Sequence, residues 1–310
     1  MTGDPLRSSD IIIVSGADSG YFPLLRDTIA SVRALDASVP LGVLDLGLQD
    51  SERDWLAGLA VHIVRPGWDV EFPGRDRMPE TFKAQVARPF LPRHFPGYET
   101  YLWLDADAWV QDWRAIELYR AAAGHDKLAI SVEIDRAYKR HYKRPKLFGA
   151  TLPWKTYREA FGWRVAERLG RNPFANCGVF ALHAAAPHWE AWRRVMTRVL
   201  QRTRFFFVEQ IALNYVIFAE GLPANFLPAY CNWAVGDAAP AFDPVSGRFV
   251  EPYAPHEAIG VVHLAGTDQK NKIFRIECLA GGTIETSLRY SACRPLITAL
   301  RERHGCTAPR

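Results

Sequence analysis

No run of apolar residues in this 310-residue chain approaches the length of a membrane span. Met1–Asp10 has no apolar signal core, and Ile11-Ile12-Ile13-Val14 is too short to be one. Cysteine is sparse: five residues, at 177, 231, 278, 293 and 306, odd in number and without a close pair. That spacing argues against a disulfide framework and a clustered zinc site, and predicts a reducing, cytoplasmic setting. An excess of one charge is lacking as well. A formal net charge of +4 is too small to imply a nucleic-acid partner. The chain has no internal repeat, no low-complexity segment, no G-x-G-x-x-G fingerprint and no P-loop, since Gly-Lys-Ser/Thr does not occur.

What is present is enough chain to bury a large core, as one elaborated α/β domain or two smaller ones. Ten tryptophans and eleven tyrosines suit a sugar or nucleobase site, but they fill cores equally well. The pattern alternates strand and helix. Ile11–Ser15 reads as a first buried strand, Phe22–Leu35 as an amphipathic helix, Leu41–Leu46 as a second strand, and Val61–Val64 as a third. Pro66–Pro79 reads as a loop, and Thr81–Leu91 as a helix carrying Lys83 and Arg88. Next comes the stretch that organises the rest, Tyr101-Leu102-Trp103-Leu104-Asp105-Ala106-Asp107-Ala108-Trp109-Val110. Four large apolar residues predict a strand buried on both faces, and ligands of open α/β sheets bind beyond the carboxyl ends of such strands. Asp105 and Asp107 are therefore expected at the mouth of a cleft. Two carboxylates that close repel unless a cation or proton lies between them, and hard oxygen ligands favour Mg²⁺ or Mn²⁺. The alternative is a strand ending in a polar turn that caps the next helix.

Further on, Trp113–Ala123 reads as a helix and Leu128–Ile134 as a strand. Arg136–Lys146 holds six Lys or Arg with Tyr138, His141 and Tyr142 among them, and without it the chain would be slightly acidic. It reads as a solvated loop or as an anion site, for a phosphorylated acceptor or peripheral contact with an acidic membrane. Asn172–Leu182 is a polar turn entering a strand, Trp189–Gln201 a strongly amphipathic helix, and Glu209–Phe218 a helix with an acid and an amide in its first turn. The segments 222–230 and 232–237 read as irregular. Val261–Gly266 is a short strand meeting a glycine turn, with Lys270 and Lys272 after it. Gly281-Gly282 reads as a breaker before a surface helix over 288–303. Asp18, in the turn after the first strand, suits a base or ribose contact but is more often a turn residue.

Four of these segments, in order, resemble the retaining nucleotide-sugar transferases of the glycogenin and lipopolysaccharide galactosyltransferase type. They are the D-x-D strand Tyr101–Val110, Asn176-Cys177-Gly178-Val179-Phe180, Glu209-Gln210-Ile211-Ala212-Leu213-Asn214, and His263-Leu264-Ala265-Gly266 with a following Lys. The resemblance spans roughly residues 10 to 272 and implies a GT-A fold: an α/β, doubly wound mixed sheet flanked by helices. It implies a single catalytic domain over 1–280, with a nucleotide-binding half (1–110) and a sugar-binding half (111–280), and a helical tail over 281–310. The implied activity is metal-dependent transfer of a hexose from a nucleotide diphosphate sugar, a UDP-sugar by resemblance, to a hydroxyl of a glycan, lipid-linked or small-molecule acceptor, with retention. By position, Asp105, Asp107 and His263 would hold Mn²⁺ or Mg²⁺, with Asp105 also near the ribose. Asp18 would contact the nucleoside, Lys83 or Arg88 the diphosphate or sugar, and Asn176 and Gly178 the donor sugar. Glu209 and Gln210 would stand beside the anomeric carbon. Gly266 and Lys270 would form the phosphate turn.

The chain departs from that family's pattern in two places. Glu209 stands where Asp is usual before the Gln. The closing Lys usually comes six residues after the His and before Pro-Trp, whereas here Lys270 is seven after and Lys272 nine after, with no Pro-Trp. Two other classes compete with this reading. One is a phosphatase of the haloacid dehalogenase type with Asp105 as nucleophile, although that family's strand usually opens the domain. The other is a nucleotide-sugar-binding module without turnover. A nucleotidyltransferase would want a glycine-rich basic first turn, which is missing.

Overall fold

The structure, a computed structural model, describes residues 10–134, 136–138 and 152–304. Its centre is a seven-stranded sheet in the order β3-β2-β1-β4-β7-β6-β8, built from β1 (Ile11–Ala17), β2 (Leu41–Asp45), β3 (His62–Val64), β4 (Thr100–Leu104), β6 (Leu128–Val132), β7 (Ala175–His183) and β8 (Ala224–Leu227). β5 (Ala108–Val110), β9 (Trp233–Ala234) and β12 (Val261–His263) form a second, three-stranded sheet in the order β5-β12-β9. Two hairpins complete the strands: β10 (Ala241–Asp243) with β11 (Arg248–Val250), and β13 (Ile273–Glu277) with β14 (Thr283–Ser287).

The continuous apolar runs are explained by burial on both faces. Along β1, Ile12 and Val14 enter one core while Ile11 and Ile13 enter the other. Tyr101 and Trp103 of β4 face the first, Leu102 and Leu104 the second. Each fully buried aliphatic side chain contributes about 1.5–3 kcal/mol, so this alternation fixes the register of both strands. A third core, with Trp109, Trp233, Phe242, Phe249, Val262, Leu264 and Phe274, lies under the small sheet and the two hairpins.

Strand direction is what assembles the site. β1 to β4 run parallel to one another, so their carboxyl ends share one edge. β7 runs antiparallel to β4, with Leu104 opposite Val179. The start of β7, Asn176-Cys177-Gly178, therefore lies beside the end of β4, and the Asp105 N–H donates to the Gly178 carbonyl (2.8 Å). In the small sheet His263 pairs with Ala108 and Ala234, and the Leu264 N–H donates to the Asp107 carbonyl (2.8 Å).

Several expectations need correction. Tyr101–Val110 is not one strand: the chain turns at Asp105-Ala106-Asp107 and changes sheets. The expected helix Thr81–Leu91 is cut into a 3₁₀ turn, a short helix Lys83–Ala87, another 3₁₀ turn and a last turn Leu91–His94, because Pro89 and Pro92 supply no N–H. The segments read as irregular contain β8 and β9, whose strand character comes from pairing with β6 and β12. Gly281 and Gly282, both at positive φ, turn the β13–β14 hairpin before the helix Tyr290–His304. Of the basic segment Arg136–Lys146, residues 136–138 form a 3₁₀ turn and the others lie outside the described residues. Among the described residues, no helix is long and apolar enough to cross a membrane.

Candidate active site

The loop Asp105–Asp107 is held from behind by the helix Phe22–Leu35. Thr28 Oγ1 donates toward the carbonyls of Ala106 (2.8 Å) and Ala108 (2.7 Å), and Ser31 Oγ accepts from the Val110 N–H (3.0 Å). With its backbone so fixed, the loop turns both carboxylates toward His263, their side chains only 24 % and 12 % exposed. One oxygen of Asp105 accepts from Arg88 Nη2 (2.7 Å) and from Trp103 Nε1 (2.7 Å). The other lies 3.8 Å from His263 Nε2. Asp107 places one oxygen 3.4 Å from the same Nε2 and the second 3.2 Å from Lys270 Nζ.

The ligand atoms of Asp105, Asp107 and His263 all fall within 4.8 Å of one another. Burial raises the Asp105 pKa above the ordinary carboxylate value, against the pull of Arg88. At Asp107 burial acts the same way, but the hydrogen bond and charge of His263, with Lys270, bring its pKa below that value. Burial would also lower the His263 pKa; the neighbouring carboxylates outweigh it, and the imidazole stands above its ordinary value. Two carboxylates and an imidazole are a donor set that fits a divalent cation.

Behind the carboxylates lies a buried charge network. Arg88 Nη1 donates to Glu209 Oε1 (2.9 Å) and toward the Cys177 carbonyl (3.3 Å), and its guanidinium lies over the Trp103 ring at 4.6 Å. Glu209 is 3 % exposed, and among the described residues its Oε2 has no partner within hydrogen-bonding geometry. Burial raises its pKa, with Arg88 opposing. Gln210 and Asn214, one turn apart on the helix Val208–Phe218, both reach β7. Gln210 Oε1 accepts from the Cys177 N–H (3.0 Å), and the Asn214 amide pairs with both backbone groups of Ala175 (2.8 Å each).

The remaining expected residues have defined places. Asn176 Oδ1 accepts from the Gly178 N–H (2.8 Å), and its Nδ2 donates to Glu133 (2.8 Å). Gly178 packs so close that a Cβ there would lie 2.3 Å from His263 Cε1 and 3.0 Å from Asp105 Oδ2. Asp18 accepts from the Tyr21 N–H (2.9 Å), a turn contact. Gly266, at φ +97°, opens the turn that leads to Lys270. Lys270 also bonds the Tyr21 hydroxyl and lies over that ring at 4.1 Å, joining the first and last turns of the site. The structure brings Arg88, not Lys83, to the carboxylates: Lys83 pairs with Glu80 (2.7 Å) and lies over Trp68.

Sequence reasoning missed Trp103 as a donor to Asp105, Tyr21 as the partner of Lys270, and Asn232, whose Oδ1 lies 2.8 Å from His263 Nδ1. Asn232 did carry a signal: it is a lone amide inside Tyr230-Cys231-Asn232-Trp233-Ala234-Val235, and a polar group buried in such a run needs a hydrogen-bond partner.

No family model matches this chain, and no curated protein matches it. Solved structures do. The apo bifunctional glycosyltransferase WbbM superposes with a TM-score of 0.55 at 15 % identity, over 85 % of this chain and 47 % of that one. This chain thus spans about half of WbbM. The galactosyltransferase LgtC, in complex with donor and acceptor sugar analogues, superposes with a TM-score of 0.50 at 16 % identity, over 96 % of this chain and 97 % of that one. Sheet order, the turn at the end of β4 and these two likenesses agree: the chain has the GT-A glycosyltransferase fold.

Proposed function

We propose that this protein is a metal-dependent glycosyltransferase that moves a hexose from a nucleotide diphosphate sugar, a UDP-sugar by resemblance, to a hydroxyl acceptor with retention. The observation that carries the reading is the convergence of Asp105, Asp107 and His263 at the carboxyl edge of a GT-A sheet. An imidazole among the ligands favours Mn²⁺ over Mg²⁺. When bound, the cation supplies Lewis-acid stabilisation of the departing diphosphate.

The chain's own residues do the rest. Lys270 brings a positive charge on the mobile end of a four-carbon stem. It sits on Asp107 and Tyr21 until a diphosphate offers it stronger acceptors. Arg88 holds Asp105 and Glu209 in fixed orientation. Glu209, a buried carboxylate held by Arg88, is the electron-rich group available to a developing oxocarbenium ion. Gln210, an amide spent on the Cys177 N–H, is a poor nucleophile. The step proposed is therefore front-face: the C1–O bond to the diphosphate breaks, the acceptor oxygen bonds C1 from the same side, and the acceptor's proton passes to the departing diphosphate. The phosphatase alternative wants its aspartate strand first in the domain; here that strand is fourth in the chain.

The test is calorimetry with a panel of nucleotide diphosphates and nucleotide sugars, with and without Mn²⁺, on wild type and Asp107→Ala. The expected result is one tight nucleotide, dependent on Mn²⁺ and lost in the variant. If no nucleotide binds in either condition, the donor-site reading fails. Proton NMR of the product's anomeric centre then decides retention, and a glycosyl adduct on Glu209 or Gln210 would overturn the front-face step.

A further inference from the structure

His263 has two ring nitrogens, and only Nε2 faces the carboxylates. Which of the two carries the proton in the neutral ring is decided by a chain of contacts whose ends are chemically unambiguous. At one end is a backbone N–H, that of Gly178, which can only donate; it donates to Asn176 Oδ1 (2.8 Å). At the other is the Glu133 carboxylate, which accepts from Asn176 Nδ2 (2.8 Å). The Asn176 amide can therefore adopt one orientation only, oxygen toward Gly178. That oxygen also lies 3.1 Å from Asn232. Two oxygens would repel there, so Asn232 must point its NH₂ at Asn176, which turns Oδ1 toward His263 Nδ1 at 2.8 Å. An amide oxygen accepts only, so Nδ1 bears the hydrogen and Nε2 is left as a bare lone pair.

Asn232 is held for this task. It is 1 % exposed, its N–H donates to the Ala229 carbonyl (2.9 Å), and its own carbonyl accepts from the Tyr138 hydroxyl (3.3 Å). The Nε2 lone pair then faces Asp105 Oδ2 and Asp107 Oδ1 at 3.8 and 3.4 Å, three electron-rich atoms turned toward one another. That is an unfavourable arrangement for a neutral imidazole unless a cation completes it.

We propose that Asn232 is a positioning residue: through the Nδ1–H of His263 it fixes the imidazole tautomer that presents Nε2 to a divalent cation shared with Asp105 and Asp107. The cation half of this statement rests on the proposed function; the tautomer half does not.

The experiment separates the two. Protein labelled with ¹⁵N-histidine, free of metal and at alkaline pH where the ring is neutral, is examined by NMR, with His263→Gln to assign the signal. Mn²⁺ binding is titrated on the same samples by electron paramagnetic resonance. Wild type is expected to show the Nδ1–H tautomer. Asn232→Ala is expected to lose it and to bind Mn²⁺ about 10–100-fold more weakly, the range typical of losing such a support. Asn232→Asp, which keeps an acceptor for Nδ1–H but sets a second oxygen against Asn176 Oδ1, is expected to restore the tautomer and only part of the affinity, and it keeps the proposal testable if the alanine variant does not fold. An Nε2–H signal in wild type, or Mn²⁺ affinity unchanged in folded Asn232→Ala, overturns the proposal. Wild type that shows the Nδ1–H signal but binds no Mn²⁺ overturns the cation half and, with it, the metal in the proposed function.

Discussion

Replacing Arg88 by Met keeps the volume and removes the charge from the centre of the buried network. The guanidinium loses its bonds to Glu209 (2.9 Å) and Asp105 (2.7 Å), and two carboxylates are left with like charge facing like. The side chains of Arg88, Glu209 and Asp105 are 10 %, 5 % and 24 % exposed, so water gives Glu209 little help. Breaking a buried pair by removing one partner costs about 3–5 kcal/mol. Against a total stability of about 5–15 kcal/mol, that is a large fraction. The sign with pH follows from Glu209. Its folded-state pKa is already raised by burial, and loss of Arg88 raises it further. A group whose folded pKa lies above its unfolded one destabilises the fold most above the folded value, and protonation relieves it. The variant's deficit should thus shrink as pH falls through the raised Glu209 pKa toward the ordinary carboxylate range. Urea unfolding of Arg88→Met, Glu209→Gln and the double variant across that pH range measures this. The double variant should be more stable than Arg88→Met alone. If Arg88→Met costs under about 1 kcal/mol, or its cost does not change with pH, the uncompensated-charge argument is wrong.

Other consequences are open to measurement. Gly178→Ala puts a Cβ 2.3 Å from His263 Cε1, so Mn²⁺ affinity should drop at least tenfold (about 1.4 kcal/mol) while far-UV circular dichroism stays native; unchanged affinity would mean the imidazole yields freely. Because the His263 pKa is raised by its carboxylate neighbours, Mn²⁺ competes with a proton there, and affinity should begin to fall above the ordinary histidine value as pH is lowered; a calorimetric pH series that stays flat through that window would contradict the geometry. Thr28→Val removes the hydroxyl that holds Ala106 and Ala108, and should cost about 1–2 kcal/mol in urea unfolding and weaken Mn²⁺ binding through the loosened loop. Lys270→Met should strengthen Mn²⁺ binding in the absence of nucleotide, by removing a positive charge 3.2 Å from Asp107, and weaken binding of the nucleotide diphosphate. Both changing in the same direction would refute the idea that Lys270 moves between the two.

The chain by itself determined the parts written as local pattern. Apolar runs such as Ile11–Val14 and Tyr101–Leu104 announce strands buried on both faces, and amphipathic spacing announces the helices Phe22–Leu35 and His188–Leu200. The resemblance in the D-x-D stretch and the three later segments pointed to the GT-A fold, which the structure has. Asp105 and Asp107 were legible because two carboxylates at the end of an apolar strand are conspicuous, whereas His263 entered as a ligand only through the resemblance. Tertiary structure alone decided the rest. Only the antiparallel insertion of β7 beside β4 brings Gly178 to Asp105, across 73 residues of sequence. Only packing chose Arg88 over Lys83, five positions apart on a segment that Pro89 and Pro92 break. β8, β9 and the β13–β14 hairpin were missed because short strands draw their order from partners rather than from propensity. The role of Asn232 lay beyond sequence because an amide's orientation is set by what touches it, here Asn176 on one side and His263 on the other.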